Sequence, residues 1–412
     1  MSEVLQVLVA VLMILGLGMV GLSLLYRLLC RFPGETSRGE THCSYRMAAV
    51  FALLMLLSRL MLYAFAFLLA RLSHLEAFTF LDRMYQLWIH WDARHYLRIA
   101  ETGYPTMGDD RLILVFFPLY PWLVRALTVT GLSAMFAGML LSLAAASVAT
   151  ALLYLLSGFY LDPEGSRMAA ILFILNPVGV FFCTLYTEAL FLCLTLACVY
   201  LKKRGHPWWS AFFGMLSAFT RMPGVIVAGL VLIDLLRDSV HRVDAKKVFA
   251  CLLQMLIIFS GLFLYWGVNW VLTGDPFTYL TYQKENWYQS AGTFWDSAMN
   301  TVRYFFLTKG ESDHWWSWGL QLLTMTGAVA LLLLNLDTEY DLLAYSFVYL
   351  CIVFAPTWLL SGMRYVSGMF TLPILATRLL KRRRGVYLSC CIVLFVLLFV
   401  FVYGYTTAVE LL

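Results

Sequence analysis

The sequence predicts an all-α protein that crosses a membrane many times, and its composition and length support this fold class. Hydrophobic residues make up 62% of the 412 residues and charged residues only 13%, and the mean hydropathy is +0.79. A typical soluble protein carries about 25% charged residues. A water-soluble globular fold is therefore excluded. The length allows on the order of ten or more crossings, because each needs roughly 20 apolar residues.

Apolar runs along the chain predict a bundle of about 11–13 helices, some of them short or broken. The first run follows Glu3 and lacks a basic start and a small-residue cleavage site, which indicates a retained helix rather than a signal peptide. No repeat or linker separates the runs, so one domain is predicted over residues 1–412. The predicted segments are 4–29, 47–70, 113–130, 133–160, 168–201 and 208–236 (each as two short pieces), 248–272, 318–335, 342–360, 366–380 and 386–408.

Basic residues predict how the helices are oriented. The net charge is +5, and Lys and Arg collect in short loops beside apolar segments, as they do on the cytoplasmic side of membrane proteins. This pattern favours membrane contact, and no nucleic-acid partner is expected. Residues 71–112 and 273–317 are then predicted to form two outside loops that carry short interfacial helices. The four basic segments are 27–46, 202–204, 237–247 and 381–384.

The region 113–201 conflicts with this orientation if every apolar run in it is a full crossing. Residues 202–204 would then lie on the wrong side, so one run must re-enter the membrane or merge with its neighbour. The proline-interrupted run 116–121 and the break at Asn176-Pro177 are both candidates, because proline removes a backbone donor and interrupts a helix. The sequence leaves both open.

Cysteines and acids give little indication of a metal site. The nine cysteines lie mostly inside apolar runs, without a CxxC pair or a Cys/His cluster at metal spacing. They are predicted to be small core residues. Asp109 and Asp110 could bind a divalent cation or lie solvated in a turn. The sequence requires no cofactor, and no metal ligand is assigned.

The stretch 88–105 is amphipathic and ends at a glycine and a proline, which predicts a short helix near the membrane surface. Asp92 and His95 fall at i and i+3 and therefore meet on one face, with Trp91 and Tyr96 beside them. These residue types suit a sugar-binding base site, while an interfacial helix with headgroup aromatics explains the periodicity equally well. The residues predicted to share that face are Trp88, Asp92, His95 or Tyr96, and Ile99.

These motifs resemble the PIG-V family, which comprises the GPI mannosyltransferase II enzymes and their bacterial relatives in the C-type glycosyltransferase superfamily. The combination of the tryptophan-aspartate and proline motifs is specific, and the short loops resemble the bacterial relatives more closely. The matching residues are Trp91 to Ala100, Gly103-Tyr104, Phe116 to Pro121, Asn176-Pro177, Tyr186 to Phe191, Thr220-Arg221 with Gly224, and Arg364-Tyr365.

The resemblance implies a C-type glycosyltransferase fold whose first outside loop, 71–112, holds the catalytic carboxylate. It implies dolichyl or polyprenyl phosphomannose as donor and a glycolipid or glycan as acceptor, with membrane lipids around them. The site would face outward from the plasma membrane if the protein is bacterial, which is favoured, or into the lumen of the endoplasmic reticulum if it is eukaryotic. The helix at 4–29 is an addition to the usual pattern.

The reaction's needs assign roles to these residues. A sugar hydroxyl is a poor nucleophile, so a positioned carboxylate should take its proton, and Asp92 is the predicted general base. The leaving group is a phosphate ester, so a cation such as Arg221 or Arg364 should stabilise its charge. Displacement with one carboxylate inverts the anomeric centre. Glu188 is a further functional candidate, because an acid in an apolar stretch is costly unless paired, although it could instead lie at an interfacial hairpin tip.

Substrate binding is predicted for a set of residues around these motifs. Tryptophans in the second outside loop suit either a sugar or lipid groove or interface anchoring. The predicted substrate-binding residues are Trp91, His95, Tyr96, Glu188, Arg221, Arg364 and Tyr365, and the tryptophans are Trp287, Trp295, Trp315, Trp316 and Trp318.

Two other classes of protein compete with this interpretation. A transporter or lipid scramblase would line a pathway with intramembrane charges and broken helices, and a non-catalytic subunit of a glycan-assembly complex would only recruit a partner. A transporter should place its acids at mid-membrane, whereas Asp92 falls in a loop, and no internal repeat relates the two halves. For a subunit, the change Asp92→Asn should leave cellular glycans unchanged.

Overall fold

The computed structural model describes residues 3–30, 42–72, 79–239, 244–308, 314–359 and 361–408. These residues form an all-α bundle, which confirms the predicted fold class, and they contain no strand beyond an isolated bridge between Ala291 and Pro356. The helices are α1 (Glu3–Cys30), α2 (Tyr45–Leu72), α3 (Phe80–Trp88), α4 (Asp92–Thr102), α5 (Leu119–Thr128), α6 (Ala134–Ser157), α7 (Pro163–Ile174), α8 (Glu188–Lys203), α9 (Pro207–Thr220), α10 (Val227–Ser239), α11 (Ala245–Thr273), α12 (Thr278–Trp287), α13 (Phe294–Leu307), α14 (Leu320–Leu333), α15 (Tyr340–Val353), α16 (Gly362–Ser367), α17 (Leu372–Leu380) and α18 (Arg384–Thr406).

Six helices in the described part of the chain are long and apolar enough to cross a membrane. They are α1, α2, α6, α11, the stretch Trp315–Leu333 that includes α14, and α18. In α6, 61% of the most apolar window is buried, against 22% in α2 and in α18, so α6 is the central helix of the bundle. Its many alanine, glycine and serine residues allow neighbouring helices to approach closely.

Capping residues explain where several helices begin and end. The hydroxyls of Thr79 and Ser133 accept hydrogen bonds from backbone amides in the first turns of α3 and α6, and the carboxylate of Asp162 does the same for α7. Helices α4 and α11 end at Gly103 and Gly274, which both have positive φ. The predicted termination of the 88–105 stretch at Gly103 is thus seen in the structure.

The described residues of the four basic segments converge at one end of the bundle, which we call the basic end. Lys202 and Lys203 belong to this end and are largely buried there. Their side chains are only 12% and 10% exposed, because they pair with Asp234 and Asp341. Arg31, Arg38 and Arg242 of the basic segments lie outside the described residues. The contacts that define this end are Lys203 Nζ to Asp341 Oδ2 (2.7 Å), Tyr160 Oη to Asp341 Oδ2 (3.2 Å), Arg27 Nη1 to the Leu336 carbonyl (3.1 Å) and Lys381 Nζ to Asp162 Oδ2 (2.7 Å).

The conflict over residues 113–201 is resolved by the proline run. The segments Asp109–Val115 and Leu119–Thr128 are bent by 105° relative to each other, so 113–130 is not the straight crossing that its hydropathy suggests. Helix α6 then reaches the basic end, where α7 starts, and α8 returns to the same end at Lys203. Residues 202–204 therefore lie with the other basic segments.

Three helix pairs are broken at the opposite end, which we call the site end. The breaks are 175–187 between α7 and α8, 221–226 between α9 and α10, and 354–371 around the short helix α16. Non-helical backbone at membrane depth is tolerated only where it is buried in protein or lines a cavity. The breaks therefore indicate a cavity at this end, beside the loops that contain α3, α4, α12 and α13.

Candidate active site

A cavity of about 790 Å³ lies at the site end and is lined by residues of both predicted outside loops and of all three breaks. The predicted site residues that line it are Trp91, Asp92, Tyr96, Glu188, Arg221, Arg364 and Tyr365. The structure thus brings together residues that are as far apart in the chain as Asp92 and Arg364. His95 is not among the described lining residues, and its position is given below.

Asp92 is the first residue of α4, where the helix dipole favours a negative charge. The chain reaches it through a left-handed turn, since Trp91 has φ +44°, a conformation that costs a non-glycine residue energy. The prediction of one continuous helix from residue 88 is therefore wrong, because residues 89–91 separate α3 from α4. Trp88 belongs to α3, where it is buried, and does not share a helix face with Asp92. Tyr405 packs on Trp91 at 5.2 Å between ring centroids and helps to hold the turn.

Four charged side chains form an alternating series, which we call the charge ladder: Asp92, Arg364, Glu188 and Arg221. Arg364 Nη1 donates to Asp92 Oδ2 at 2.9 Å, and Arg364 Nε lies 3.1 Å from Glu188 Oε1. Arg221 Nη1 donates to the same Glu188 oxygen. The ladder contains two arginines and two carboxylates, so its net formal charge is zero.

Aromatic rings surround both arginines of the ladder. The Arg364 guanidinium lies 5.3 Å from the ring centroid of Tyr186 and 5.0 Å from that of Tyr365. Arg221 lies 5.1 Å from the centroid of the Tyr365 ring. Such cation–π contacts hold a guanidinium in place while they keep water away from it. The sequence pointed to Tyr365, and it gave Tyr186 only as part of the family motif.

The two carboxylates of the ladder differ in accessibility. The side chain of Asp92 is 20% exposed and that of Glu188 only 2%. Glu188 Oε2 has no hydrogen-bond partner among the described residues, and buried polar atoms are nearly always bonded in native proteins. Glu188 is therefore buried beside a cavity with hydrogen-bonding capacity to spare, whereas Asp92 is the acid that a ligand reaches more easily.

The break that presents Glu188 is held from behind by a buried arginine in α2. Arg59 Nη2 donates to the carbonyl of Ile174, the last residue of α7, at 2.8 Å. Gly179 of the same break faces the Arg59 guanidinium, and a Cβ at Gly179 would lie only 2.6 Å from Arg59 Nη2. A larger residue would push Arg59 away from the carbonyl. Sequence analysis did not single out Arg59, although a lone arginine in an apolar helix is unusual enough to have signalled a role.

Arg221 depends on a similarly tight approach of backbone. It lies between α9 and the 3-10 turn Met222–Ile226, and a Cβ at Gly224 would lie 2.3 Å from the backbone nitrogen of Ala218. Only glycine allows the turn to fold back on α9 this closely. The Pro223-Gly224 pair therefore fixes the direction in which Arg221 leaves the helix.

His95 lies behind the cavity wall. Its ring stacks on Phe116 at 5.1 Å and meets Trp287 edge-on at 6.2 Å, and both of these rings line the cavity. Burial, with help from Arg98 and Arg94, lowers the pKa of His95 below its ordinary 6.5, although Asp92 and Asp110 oppose the shift. His95 is thus neutral near pH 7, and its predicted contact with substrate stays a prediction.

The tryptophans of the second outside loop divide between the two roles that the sequence left open. Trp287 and Trp318 line the cavity, whereas Trp295 and Trp315 have exposed side chains. A salt bridge of 2.7 Å between Arg111 and Glu285 ties this loop to the first one. Asp313 lies outside the described residues. Further lining residues that the sequence did not indicate are Tyr304 and Trp358.

The described residues give no indication of a metal site. The described residues contain no group of three or more His, Cys, Asp or Glu side chains that could hold an ion. Asp110 instead forms a 2.6 Å salt bridge with Arg98. Whether the protein needs a cation stays open as the sequence left it.

The fold and the cavity define a multi-pass membrane protein with an aromatic-walled, charged pocket at one end of its helical bundle. The chain belongs to the mannosyltransferase (PIG-V) family, which matches residues 41–323. The predicted family resemblance is confirmed, while the closer similarity to bacterial relatives stays a prediction.

Curated relatives agree with this assignment over part of the chain. GPI alpha-1,6-mannosyltransferase 2 of Homo sapiens is 32% identical over 154 residues, which are 35% of this chain and 30% of the human protein. The Mus musculus protein of that name is 32% identical over 155 residues, 34% of this chain and 30% of its own. GPI mannosyltransferase 2 of Drosophila melanogaster is 33% identical over 113 residues, 25% and 24% of the two chains. The matched stretch thus spans less than a third of these relatives. No solved structure matches the chain significantly.

Proposed function

We propose that the protein is a mannosyltransferase that moves mannose from polyprenyl or dolichyl phosphomannose to a glycolipid or glycan acceptor, with inversion. Family membership supports the transferred sugar. The observation that carries the proposal is the pairing of Asp92 with Arg364 at 2.9 Å inside the aromatic-walled cavity. This contact supports the proposal because the carboxylate that would act as base lies beside a cation that could bind the donor phosphate.

Asp92 is the proposed general base. Arg364 occupies Oδ2, so Oδ1 is the oxygen that would accept a hydrogen bond from the acceptor hydroxyl. As the new bond to the anomeric carbon forms, the hydroxyl proton passes to this carboxylate and the bond to the donor phosphate breaks. Attack from one side and departure from the other invert the anomeric centre, and no second carboxylate nucleophile is needed.

Arg364 and Arg221 are the proposed phosphate-binding groups. The donor is a phosphate diester, and its departure as a lipid monophosphate adds negative charge that a nearby guanidinium stabilises. Both arginines are already paired with carboxylates, so the donor phosphate would replace a carboxylate oxygen on Arg364. The aromatic residues around them, including Trp91, Tyr96 and Tyr365, would form the surface against which the sugar rings pack.

The proposed location follows from the two ends of the bundle. The basic end should face the cytoplasm, because Lys and Arg are retained there. The cavity would then open outside the cell or into the lumen of an organelle. Helix α18 supports this separation, since Arg384 at one end and Tyr405 near Trp91 at the other are joined by one apolar span.

The test is transfer of radiolabelled mannose from a short-chain polyprenyl phosphomannose by purified protein in detergent, with a membrane-lipid extract as acceptor source. The variant is Asp92→Asn, and the matched control is Asp109→Asn, a fully exposed acid of the same loop. We expect Asp92→Asn to lose transfer and Asp109→Asn to retain it.

Other outcomes contradict parts of the proposal. Equal transfer by wild type and Asp92→Asn would move the base elsewhere, with Glu188 as the next candidate. Absence of transfer by the wild type, with several sugar donors and extracts, would favour the transporter or the non-catalytic subunit.

A further inference from the structure

A second cavity lies among α7, α17 and α18, apart from the cavity of the charge ladder. Its volume is about 440 Å³, within the range of roughly 300–1,000 Å³ that is common for ligand pockets. Leucine, valine, alanine, proline and phenylalanine side chains form most of its wall, with polar contributions from Asn176, Ser367, Ser389 and Cys390. The lining therefore suits a hydrocarbon chain rather than a sugar.

This cavity opens toward lipid. Val386 and Val393 line it and are 46% and 55% exposed on α18, a helix that is long and apolar enough to cross a membrane. The lining residues of α18 fall between 386 and 394. They cover about 14 Å of helix from its basic end, which is close to half of a hydrocarbon core of about 30 Å. The opening thus matches the depth of one leaflet.

A run of positive charge stands at the headgroup end of the same cavity. Lys381, Arg382, Arg383 and Arg384 are all exposed, and only Gly385 separates this run from the lining residue Val386. Lys381 pairs with Asp162 at 2.7 Å. The three arginines that follow are placed where the phosphate of a lipid headgroup would lie if its acyl chain entered the cavity.

We propose that this cavity and the run Lys381–Arg384 bind one anionic phospholipid, with an acyl chain in the cavity and the phosphate against the arginines. The proposal is independent of the proposed transferase activity. The ligand is not the sugar donor, because the run lies at the basic end of α18 while Trp91, which precedes Asp92, packs near the other end of that helix.

The bound chain would pack behind the segment that carries Arg364. Ser367 lines the second cavity, and its hydroxyl donates to the Arg364 carbonyl at 2.6 Å. Ser367 of α16 therefore faces the lipid site, while Arg364 of the same helix points into the charge ladder. A phospholipid here would support the position of α16 from the membrane side.

The experiment is native mass spectrometry of the full chain in detergent, titrated with dioleoyl phosphatidylglycerol or dioleoyl phosphatidylcholine. One variant combines Arg382→Gln, Arg383→Gln and Arg384→Gln, and its control replaces the exposed bases Arg46, Arg204 and Lys246 by Gln. The second variant, Ser389→Trp, fills the cavity, and its control is Leu388→Trp on the neighbouring exposed position.

We expect one phosphatidylglycerol to bind in preference to phosphatidylcholine. Loss of the three arginines should weaken phosphatidylglycerol binding roughly tenfold or more, because each base near a headgroup contributes about 1 kcal/mol. Ser389→Trp should weaken both lipids, and neither control should change binding. Melting temperatures in detergent alone show whether each variant is folded.

Three results would overturn the proposal. Equal binding of both lipids with no effect of the arginine variant would mean nonspecific lipid solvation. An effect of the arginines without an effect of Ser389→Trp, in a folded variant, would mean headgroup attraction at the surface only. Equal weakening by the Arg46, Arg204 and Lys246 control would mean that net charge, not this run, attracts the lipid.

Discussion

Helix α8 carries a charged cluster at each of its ends, and the two clusters differ in one respect. At the basic end, Lys203 and Tyr160 donate to Asp341 Oδ2, and the Leu342 amide donates to Asp341 Oδ1. At the site end, Glu188 accepts from Arg221 and contacts Arg364 through one oxygen, while Oε2 lacks a partner among the described residues. Both clusters are buried and paired.

The difference indicates which cluster is structural. A closed cluster in which every carboxylate oxygen is bonded has nothing left to offer a ligand, and removal of one partner mainly exposes the cost of a buried charge. The ladder lines a cavity and keeps an unbonded oxygen, so it retains capacity for a substrate. Burial and ion pairing alone therefore do not indicate a site, whereas unused hydrogen-bonding capacity beside a cavity marks a candidate site.

The largest expected effect is the loss of mannose transfer when the charge ladder is changed at Asp92. Asp92→Asn should reduce mannose transfer by about 10²–10⁴-fold, because a general base contributes about that much. Its melting temperature should change little, since Arg364 keeps its contact with Glu188. Transfer rates and thermal unfolding in detergent measure both quantities. A large loss of melting temperature with proportionate loss of activity would make Asp92 a structural residue like Asp341.

The converse change should act on stability. Asp341→Asn leaves Lys203 buried without its anionic partner, which should cost about 3–5 kcal/mol of unfolding free energy. Thermal unfolding should show the loss, while the folded fraction should keep the wild-type KM for the donor. A raised KM with unchanged melting temperature would contradict the division between the two ends.

Exchange of arginine for lysine at the site end should affect transfer far more than exchange of lysine for arginine at the basic end. Arg364→Lys keeps the positive charge but cannot contact Asp92 and Glu188 through separate nitrogens, so transfer should fall about 10²-fold, in the range seen when one transition-state donor is removed. The matched change Lys203→Arg at the basic end should leave transfer close to wild type. Steady-state kinetics of mannose transfer by both variants measures the difference. Equal losses of transfer would contradict the division between the two ends.

The smallest effect concerns pH. Burial lowers the pKa of His95 in the folded state below its ordinary 6.5, so the unfolded chain binds this proton more readily. His95 contributes nothing above its unfolded pKa, and stability falls as pH drops below that value. The melting temperature of His95→Gln should therefore fall less than that of wild type between about pH 7.5 and pH 5.5. An identical fall would mean that His95 is not buried as described.

The sequence indicated which residues belong to the ladder better than it indicated their arrangement. Asp92, Glu188, Arg221 and Arg364 all follow from residue type and motif, but their order in the ladder depends on helix breaks that meet only in three dimensions. At Trp91 tertiary contacts override the local pattern, because helical periodicity runs through residues 88–92 while the backbone at Trp91 has positive φ. Ring packing against Tyr405, 314 residues away in the chain, cannot be read from local pattern.

The exposure of a charge run cannot be predicted from its composition. Lys202 and Lys203 have the composition of a surface anchor, yet both are mostly buried because Asp234 and Asp341 come from other helices. The run Lys381–Arg384 has similar composition and is exposed. The two runs differ in exposure because of the helices that pack beside them, and the periodicity of the sequence does not predict which helices these are.

The zero net charge of the ladder has a consequence for how a substrate arrives. A neutral cluster projects little field beyond about 8–10 Å at physiological ionic strength, so it does not steer anions from a distance. If the proposed donor binds here, its phosphate must be recognised at contact, by exchange with a carboxylate already on Arg364. A lipid that diffuses laterally to the cavity meets this condition, whereas a dilute soluble anion gains no help in finding it. The association rate should accordingly be almost insensitive to salt.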